Sequence, residues 1–329
     1  MNYRRTIAYF VSLLIFGAVT RAETITVATY NIENFKEHFL ARRLAADKAN
    51  PLPQSEQATE LLKQVRNAND KDCWEISQVI LDSRFNPDIM VIEEGCSQED
   101  LEYFNHRWLG DAYQTAIVFP GNSERGQMLG LIAKPGFKVI EKKDQYYLEK
   151  DTVTNERGDK LFARGPAFVL MESPGGYRFW VGVTHQKSKS GNSLDVTKWR
   201  NREAKRTHEI MKELEKTNPS TSDVVLLGDM NDELWTQEFE LAGGGDTITN
   251  LVGPTEDGFV LVTRPLIEKG MTSYGGYWND RFRSFIDHVI VSKSMTDEVK
   301  DVQVFQEGMT RVASDHYPVF VKLEVKTPH

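Results

Sequence analysis

Residues 224–232 read VVLLGDMND. Four apolar residues, Val224 to Leu227, run into Gly228 and Asp229, and Asn231 and Asp232 follow Met230. The apolar run suits a buried strand. Its ending does not suit a core, because a carboxylate and a carboxamide are costly to bury without partners. In an extended segment, residues two apart point to the same side. The sequence therefore predicts that Asp229 and Asn231 face one pocket at a strand end.

Working outward, the same plan recurs. TITVATYN (24–31) is a strand ending in a polar pair, and IMVIEE (89–94) is a buried strand ending in two acids. Between them SEQATELLKQVRNAND (55–70) and CWEISQVILDSRF (73–85) read as helices, the second with a stripe of Trp74, Ile76, Val79, Ile80 and Phe85. QEDLEYFNHRWL (98–109) reads as a helix, and QTAIVF and LGLIAK as strands paired around PGNSERG. Further on, FVLME and RFWVGVTH flank SPGG as a hairpin ending at Thr184-His185, and a helix follows over about 196–214. SFIDHVIVS is a strand carrying Asp287, and SDHYPVFVKLEV supplies the last strand. Each half thus gives strand, polar end, helix, strand, polar end. That order predicts two similar layers packed face to face, with polar strand ends gathered at one edge.

The first 22 residues carry Arg4 and Arg5, an apolar run from Ile7 to Val19, and Thr20-Arg21-Ala22. Basic start, short apolar core and small residues predict a cleaved signal peptide (1–22) and a secreted or periplasmic protein with no stable membrane anchor. A membrane anchor is the competing reading, and the run is short for one. Residues 23–329 read as one domain, expected to be monomeric. Removing the leader takes three Arg and no acid, so 37 Lys+Arg against 48 Asp+Glu leave a net charge of −11. Such a chain is a poor non-specific binder of nucleic acid, though a local basic face remains compatible. Two cysteines, Cys73 and Cys96, are too few for a thiolate zinc site. They are predicted to form a disulfide. A helix of twelve steps (about 18 Å) and a strand of six (about 20 Å) running antiparallel bring Cys73 and Cys96 to the same end, and export supplies the oxidant. Two free thiols are the alternative.

Asn31, Glu94, His185, Asp229, Asn231, Asp287, Asp315 and His316 all sit at or near strand ends. Acids and amides supply the oxygen ligands that Mg²⁺ or Mn²⁺ prefers, and histidine moves protons or donates to phosphate near neutral pH. Taken singly, each has a duller reading as a cap, turn or solvated residue. The stretch 187–206, with seven Lys or Arg and two acids, is either a solvated helix face or a phosphate-binding flank. Lys187 and Arg202 are the candidates there, with Arg125 and Arg164 as weaker ones.

TYNIENF, PDIMVIEE, VTHQKSK, LLGDMND, FIDHVIVS and SDHYPV stand in the order of the endonuclease/exonuclease/phosphatase superfamily, which the chain resembles over residues 29–319. One such motif is weak evidence and six in order are strong. The resemblance implies a four-layer α/β sandwich, two mixed β-sheets packed face to face with helices outside. It also implies a divalent-metal hydrolase, expected to be an exported, endonuclease-like phosphodiesterase acting on nucleic acid through an activated water. A phosphatase or sphingomyelinase-type lipid phosphodiesterase, or a non-catalytic binding protein, are the alternatives. The roles implied are Glu94, Asn31 and Asp315 on the metal, and Asp229 orienting or activating the water beside Asn231. His316 would contact the scissile phosphate, oriented by Asp287, with His185 a second, nuclease-like histidine. Glu93 and Met230 depart from the family's usual Gln and Phe without removing a catalytic group.

Overall fold

The structure, a computed structural model, describes residues 22–35, 71–155, 158–189, 193–217, 222–234, 242–253, 258–275 and 283–326. The expected leader, apart from Ala22, and the helix expected over 55–70 lie outside the described residues. Among the described residues, no helix is long and apolar enough to cross a membrane.

Runs of β-branched residues bounded by turns give two six-stranded mixed sheets. The first contains β1 (Ala22–Asn31), β2 (Ile89–Gly95), β3 (Thr115–Phe119), β4 (Met128–Ala133), β13 (Val299–Val304) and β14 (Val319–Lys326), in the order β13-β14-β1-β2-β4-β3. The second contains β5 (Lys138–Lys143), β8 (Ala167–Glu172), β9 (Arg178–His185), β10 (Val224–Asp229), β11 (Phe259–Leu261) and β12 (Asp287–Ser292), in the order β11-β12-β10-β9-β8-β5. A small ribbon of β6 (Lys150–Asn155) and β7 (Gly158–Lys160) stands apart.

Each sheet holds one parallel pair near its middle, β1 with β2 and β9 with β10. A parallel pair needs a crossover, and a helix supplies it. Helix α1 covers residues 71–80 before β2. Helix α3 (Leu194–Thr217) joins β9 to β10, with α2 (Gln98–Trp108) between β2 and β3. The sheets face each other across a core that includes Val27, Val91, Val181, Val225 and Val289. A second apolar cluster lies between the first sheet and α1 and α2, and a third between the second sheet and α3. These are the four layers expected. The expected repeat is present in the parallel pairs, although β13 and β14 from the C-terminus complete the first sheet.

Two expectations change here. The stripe on α1 is set by Cys73, Ile76, Val79 and Ile80, all buried, whereas Trp74 is 45% exposed. Trp74 and Leu81 are seven positions apart and share an outer row of the helix. Cys73 and Cys96 are two buried thiols, not the expected disulfide. They do fall in one apolar cluster, as the layer geometry requires. There burial pushes the Cys96 thiol far above its ordinary pKa. That disfavours the thiolate through which disulfides form.

Candidate active site

Parallel pairing brings four strand ends to one edge. In register, Asn31 lies opposite Glu93, and Asp229 lies opposite both His185 and Asp287. Backbone irregularities then aim the side chains. The pairing of β2 with β4 shifts between Ile92 and Gly95, and such a bulge re-aims a side chain. Glu94 sits there at φ 56°, and Glu33, Asn34 and Asn231 also have positive φ. Four of the six non-glycine residues with positive φ among the described residues therefore ring this edge, as strained backbone does at functional sites. Asn231 reaches the pocket for a different reason from the one expected: β10 ends at Asp229, and the left-handed turn at Asn231 redirects the chain. Gly228 (φ 148°) is required beneath it. A Cβ there would lie 1.9 Å from the backbone oxygen of Thr184 on β9.

The resulting pocket, about 510 Å³, is lined by Glu94, His185, Asp229, Asn231, Asp315 and His316, together with Arg125, Arg164, Lys189 and Arg283. Asp229 is its centre. Its Oδ2 accepts from Asn31 Nδ2 at 3.1 Å and lies 3.2 Å from His185 Nε2 and 3.8 Å from His316 Nε2. Its Oδ1 accepts from the backbone N of Asn231 at 2.9 Å. Burial works against its charge, but His185, His316 and the Asn231 amide outweigh burial, so its pKa stands well below the carboxylate range.

The two histidines are driven in opposite directions. Burial, helped by the Arg164 charge, lowers the pKa of His185 despite Asp229, so its imidazole is neutral at pH 7. A carboxylate only accepts; His185 therefore donates Nε2–H to Asp229, and its buried Nδ1 has no protein partner among the described residues. His316 is also buried, which alone would discharge it. Asp287 outweighs this, with Asp229 and Asp315 adding to the pull, and its pKa stands well above the ordinary value. Its Nδ1 is 2.9 Å from Asp287 Oδ2 and 3.1 Å from Oδ1. The expected Asp287–His316 pair is thus present, with Nε2 turned to the pocket. Tyr274 packs against the His316 ring at 4.9 Å between centroids.

The metal-side residues form an acidic corner. Glu94 Oε2 accepts from the backbone N of Asn34 at 2.9 Å and from Gln127 Nε2 at 2.6 Å. Burial raises Asp315 to about 6, and the neighbouring Glu33, Glu94 and Asp229 charges add to the rise against His316. Mutually repelling carboxylate oxygens in a cleft suit a hard divalent cation. Asp229, Asp287 and His316 lie closer together, with ligand atoms within 4.8 Å. A charged histidine has no lone pair to offer, however, so that trio is a hydrogen-bonded relay and the acidic corner is the fitting metal position. Asn31 lies under this corner, its amide nitrogen on Asp229 and its Oδ1 accepting from the backbone N of Glu33 at 3.1 Å.

Glu93, the sequence neighbour of Glu94, is fully buried. Burial raises its carboxyl well above the ordinary range, with Asp287 and Asp229 adding to it against a hydrogen bond from Thr29 Oγ1 at 2.7 Å. Burial thus favours its neutral form, which is equivalent in charge to an amide.

The basic flank is rearranged. Arg125 and Arg164 line the pocket, but Lys187 and Arg202 do not. Arg202 forks onto Asp151 of β6 at 2.6 and 2.8 Å, because the α3 face carrying it looks toward the ribbon. Lys187 holds its amine over the Trp199 ring at 5.8 Å and gives its backbone N to Glu203 at 2.8 Å. Lys189 occupies the pocket wall instead. The KSK run pointed to it no less than to Lys187. Gln127, Tyr274 and Arg283 had no comparable signal in the sequence. His288 is buried away from the pocket wall, with Nε2 on the Asp232 carbonyl oxygen at 3.0 Å.

A profile of the Endonuclease/Exonuclease/phosphatase family matches residues 28–316. No curated protein sequence gives a significant match. Among solved structures, truncated TDP2 of Caenorhabditis elegans is similar at 15% identity and TM-score 0.57, over 92% of this chain and 98% of that one. An endonuclease/exonuclease/phosphatase from Bacteroides vulgatus is similar at 14% identity and TM-score 0.55, over 92% and 100%. TDP2 of D. rerio, solved with a single-strand DNA product, is similar at 13% and 0.53, over 91% and 98%.

Proposed function

The chain belongs to the endonuclease/exonuclease/phosphatase family and is a hydrolase acting on phosphate esters, and from that premise we propose that it is an exported, Mg²⁺- or Mn²⁺-dependent phosphodiesterase that cleaves nucleic acid. One observation carries the reading: an ionised Asp229 stands between a neutral and a charged histidine, facing an acidic corner, in a pocket lined by four Lys or Arg side chains. A polyanion needs those cations. The choline of a sphingomyelin headgroup would be repelled by them.

Each residue's part follows from its protonation state. With its pKa depressed, Asp229 is a weak proton sink, and its part is to accept a hydrogen bond from the attacking water and orient it. Neutral His185 fixes Asp229 from one side, and Asn31 fixes it from below. Charged His316, held by Asp287, donates to a non-bridging oxygen as negative charge develops there. Asn231 Nδ2 is on the Gln186 carbonyl oxygen at 3.1 Å, which leaves its Oδ1 for the water or for a ligand. Glu94 and Asp315, with Asn31 beneath, would hold the cation, which supplies Lewis-acid polarisation of the phosphate. The N-terminal leader supports export, and the chain acts as a monomer in this reading.

The test is a substrate panel on purified mature protein: plasmid DNA, RNA, sphingomyelin and an inositol phosphate, each with Mg²⁺ and with EDTA. Metal-dependent cleavage of nucleic acid is expected. Preferential cleavage of sphingomyelin or of the inositol phosphate would replace the reading with a lipid or phosphatase one. Binding without turnover of any substrate would make the chain a binding protein.

A further inference from the structure

Lys189 is anchored in a way that a solvated lysine is not. Its Nζ lies 2.7 Å from Asp232 Oδ1, and the Asp232 side chain is completely buried while Lys189 keeps about a third of its own exposed (34%). The Asp232 carboxylate cannot swing away. Oδ1 also accepts from the backbone N of Glu233 at 3.0 Å, and Oδ2 from the backbone N of Thr247 at 2.9 Å. The buried Arg200 stands 3.5 Å from Oδ2, and its Nε donates to Thr247 Oγ1 at 3.0 Å. One buried carboxylate therefore fixes an ammonium on the pocket wall. A free lysine side chain carries a large rotamer entropy, and much of that is lost before any ligand arrives.

The place of this ammonium is set by the topology. β9 and β10 are parallel neighbours, and His185 and Asp229 are paired at their ends. Lys189 stands four residues past His185, and Asp232 stands three past Asp229. The pair thus lies beyond the acid–histidine core, on the side where both chains leave the sheet. A diester seated on Asp229 and His316 would leave the fixed Lys189 ammonium past it on the same pocket wall, where the next phosphate of a chain would lie.

We propose that Lys189, held by Asp232, binds the phosphate next to the one that is cleaved, so that the site selects substrates with at least two consecutive phosphodiesters. Lys189 touches substrate; Asp232 is a positioning residue. The inference rests on the phosphodiesterase reading and deepens it toward oligonucleotides.

Calorimetric titration in Mg²⁺ with uncleavable 3′-methylenephosphonate analogues, which keep the charge of the natural linkage, compares the thymidine dinucleotide (one linkage) with the trinucleotide (two). Wild type is expected to bind the trinucleotide roughly tenfold more tightly, the scale of one charge-assisted hydrogen bond. Lys189→Met should remove that preference and leave dinucleotide affinity unchanged, and Lys189→Arg should retain it. Asp232→Asn should weaken the preference, and the double variant should lose no more than Lys189→Met alone. A wild type with no preference, a Lys189→Met that keeps it, or equal weakening on both ligands would overturn the inference while leaving the phosphodiesterase reading standing. Binding of neither ligand by wild type would overturn both.

Discussion

Replacing Asp287 with asparagine tests the charge relay at its root. The side chain keeps its shape, but the carboxylate 2.9 Å from His316 Nδ1 becomes a neutral amide. Both groups are buried, at 1% and 5% exposure, so water does not replace the lost charge. His316 would keep only Asp229 at 3.8 Å and Asp315 at 3.9 Å as opposite charges, both on its Nε2 side. Removing one partner of a buried pair costs about 3–5 kcal/mol, and here part of that cost is relieved when the imidazole gives up its proton. The sign is fixed: the pKa of His316 falls toward the value that burial favours, so the protonated fraction is lost at lower pH than in wild type. Turnover should drop by about two to four orders of magnitude near neutral pH, the range for a positioned proton-bearing group. The alkaline limb of the kcat profile should move to lower pH. The assay is hydrolysis of bis(p-nitrophenyl) phosphate from pH 5 to 10, with urea unfolding alongside to show that the variant is folded. A folded variant whose alkaline limb coincides with that of wild type would refute the relay.

Gly228→Ala should destabilise the fold by about 4 kcal/mol or more, since its Cβ would meet the Thr184 carbonyl at 1.9 Å; a urea midpoint near that of wild type would contradict the close approach of β9 and β10. Two buried groups oppose each other in the pH dependence of stability. Burial lowers His288 to about 4, so the unfolded chain binds more protons than the fold between about pH 4 and 6.5, and acidification through that window removes about 3 kcal/mol. Burial raises Glu203 to about 7, so the fold binds more protons between about 4.5 and 7, and acidification there restores a similar amount. Glu203→Gln should therefore lose Tm more steeply than wild type between pH 7 and 5; parallel curves would show that the two do not offset.

The fold was readable because its signals are local. Alternation in RFWVGVTH and the apolar run in VVLLGDMND mark strands whatever surrounds them, and their polar ends mark the sheet edge where Asp229 and His185 meet. What sequence did not reveal depends on rotation and reach. Trp74 fits an apolar stripe by composition, yet the helix turns it outward because Cys73, Ile76 and Ile80 already cover the sheet. Lys187 and Lys189 are equal in composition; only the position of the buried Asp232 decides which amine reaches the pocket. Arg202 was expected at a phosphate because nothing in the chain announced that Asp151, fifty-one positions earlier, would take its guanidinium. Asn231 does line the pocket, but not through strand alternation: the chain leaves the strand two residues before it and arrives through a left-handed turn.

We propose that Asp229, between its two histidines and the acidic corner, serves a metal-dependent cleavage of phosphodiesters. The most direct measurement is turnover of bis(p-nitrophenyl) phosphate by mature wild type and Asp229→Ala, each with Mg²⁺ or Mn²⁺ and with EDTA. Wild type should turn over only with the metal, and Asp229→Ala should be slower by about two orders of magnitude or more while remaining folded. Wild-type activity that persists in EDTA, or a folded Asp229→Ala with near-normal turnover, would contradict the account.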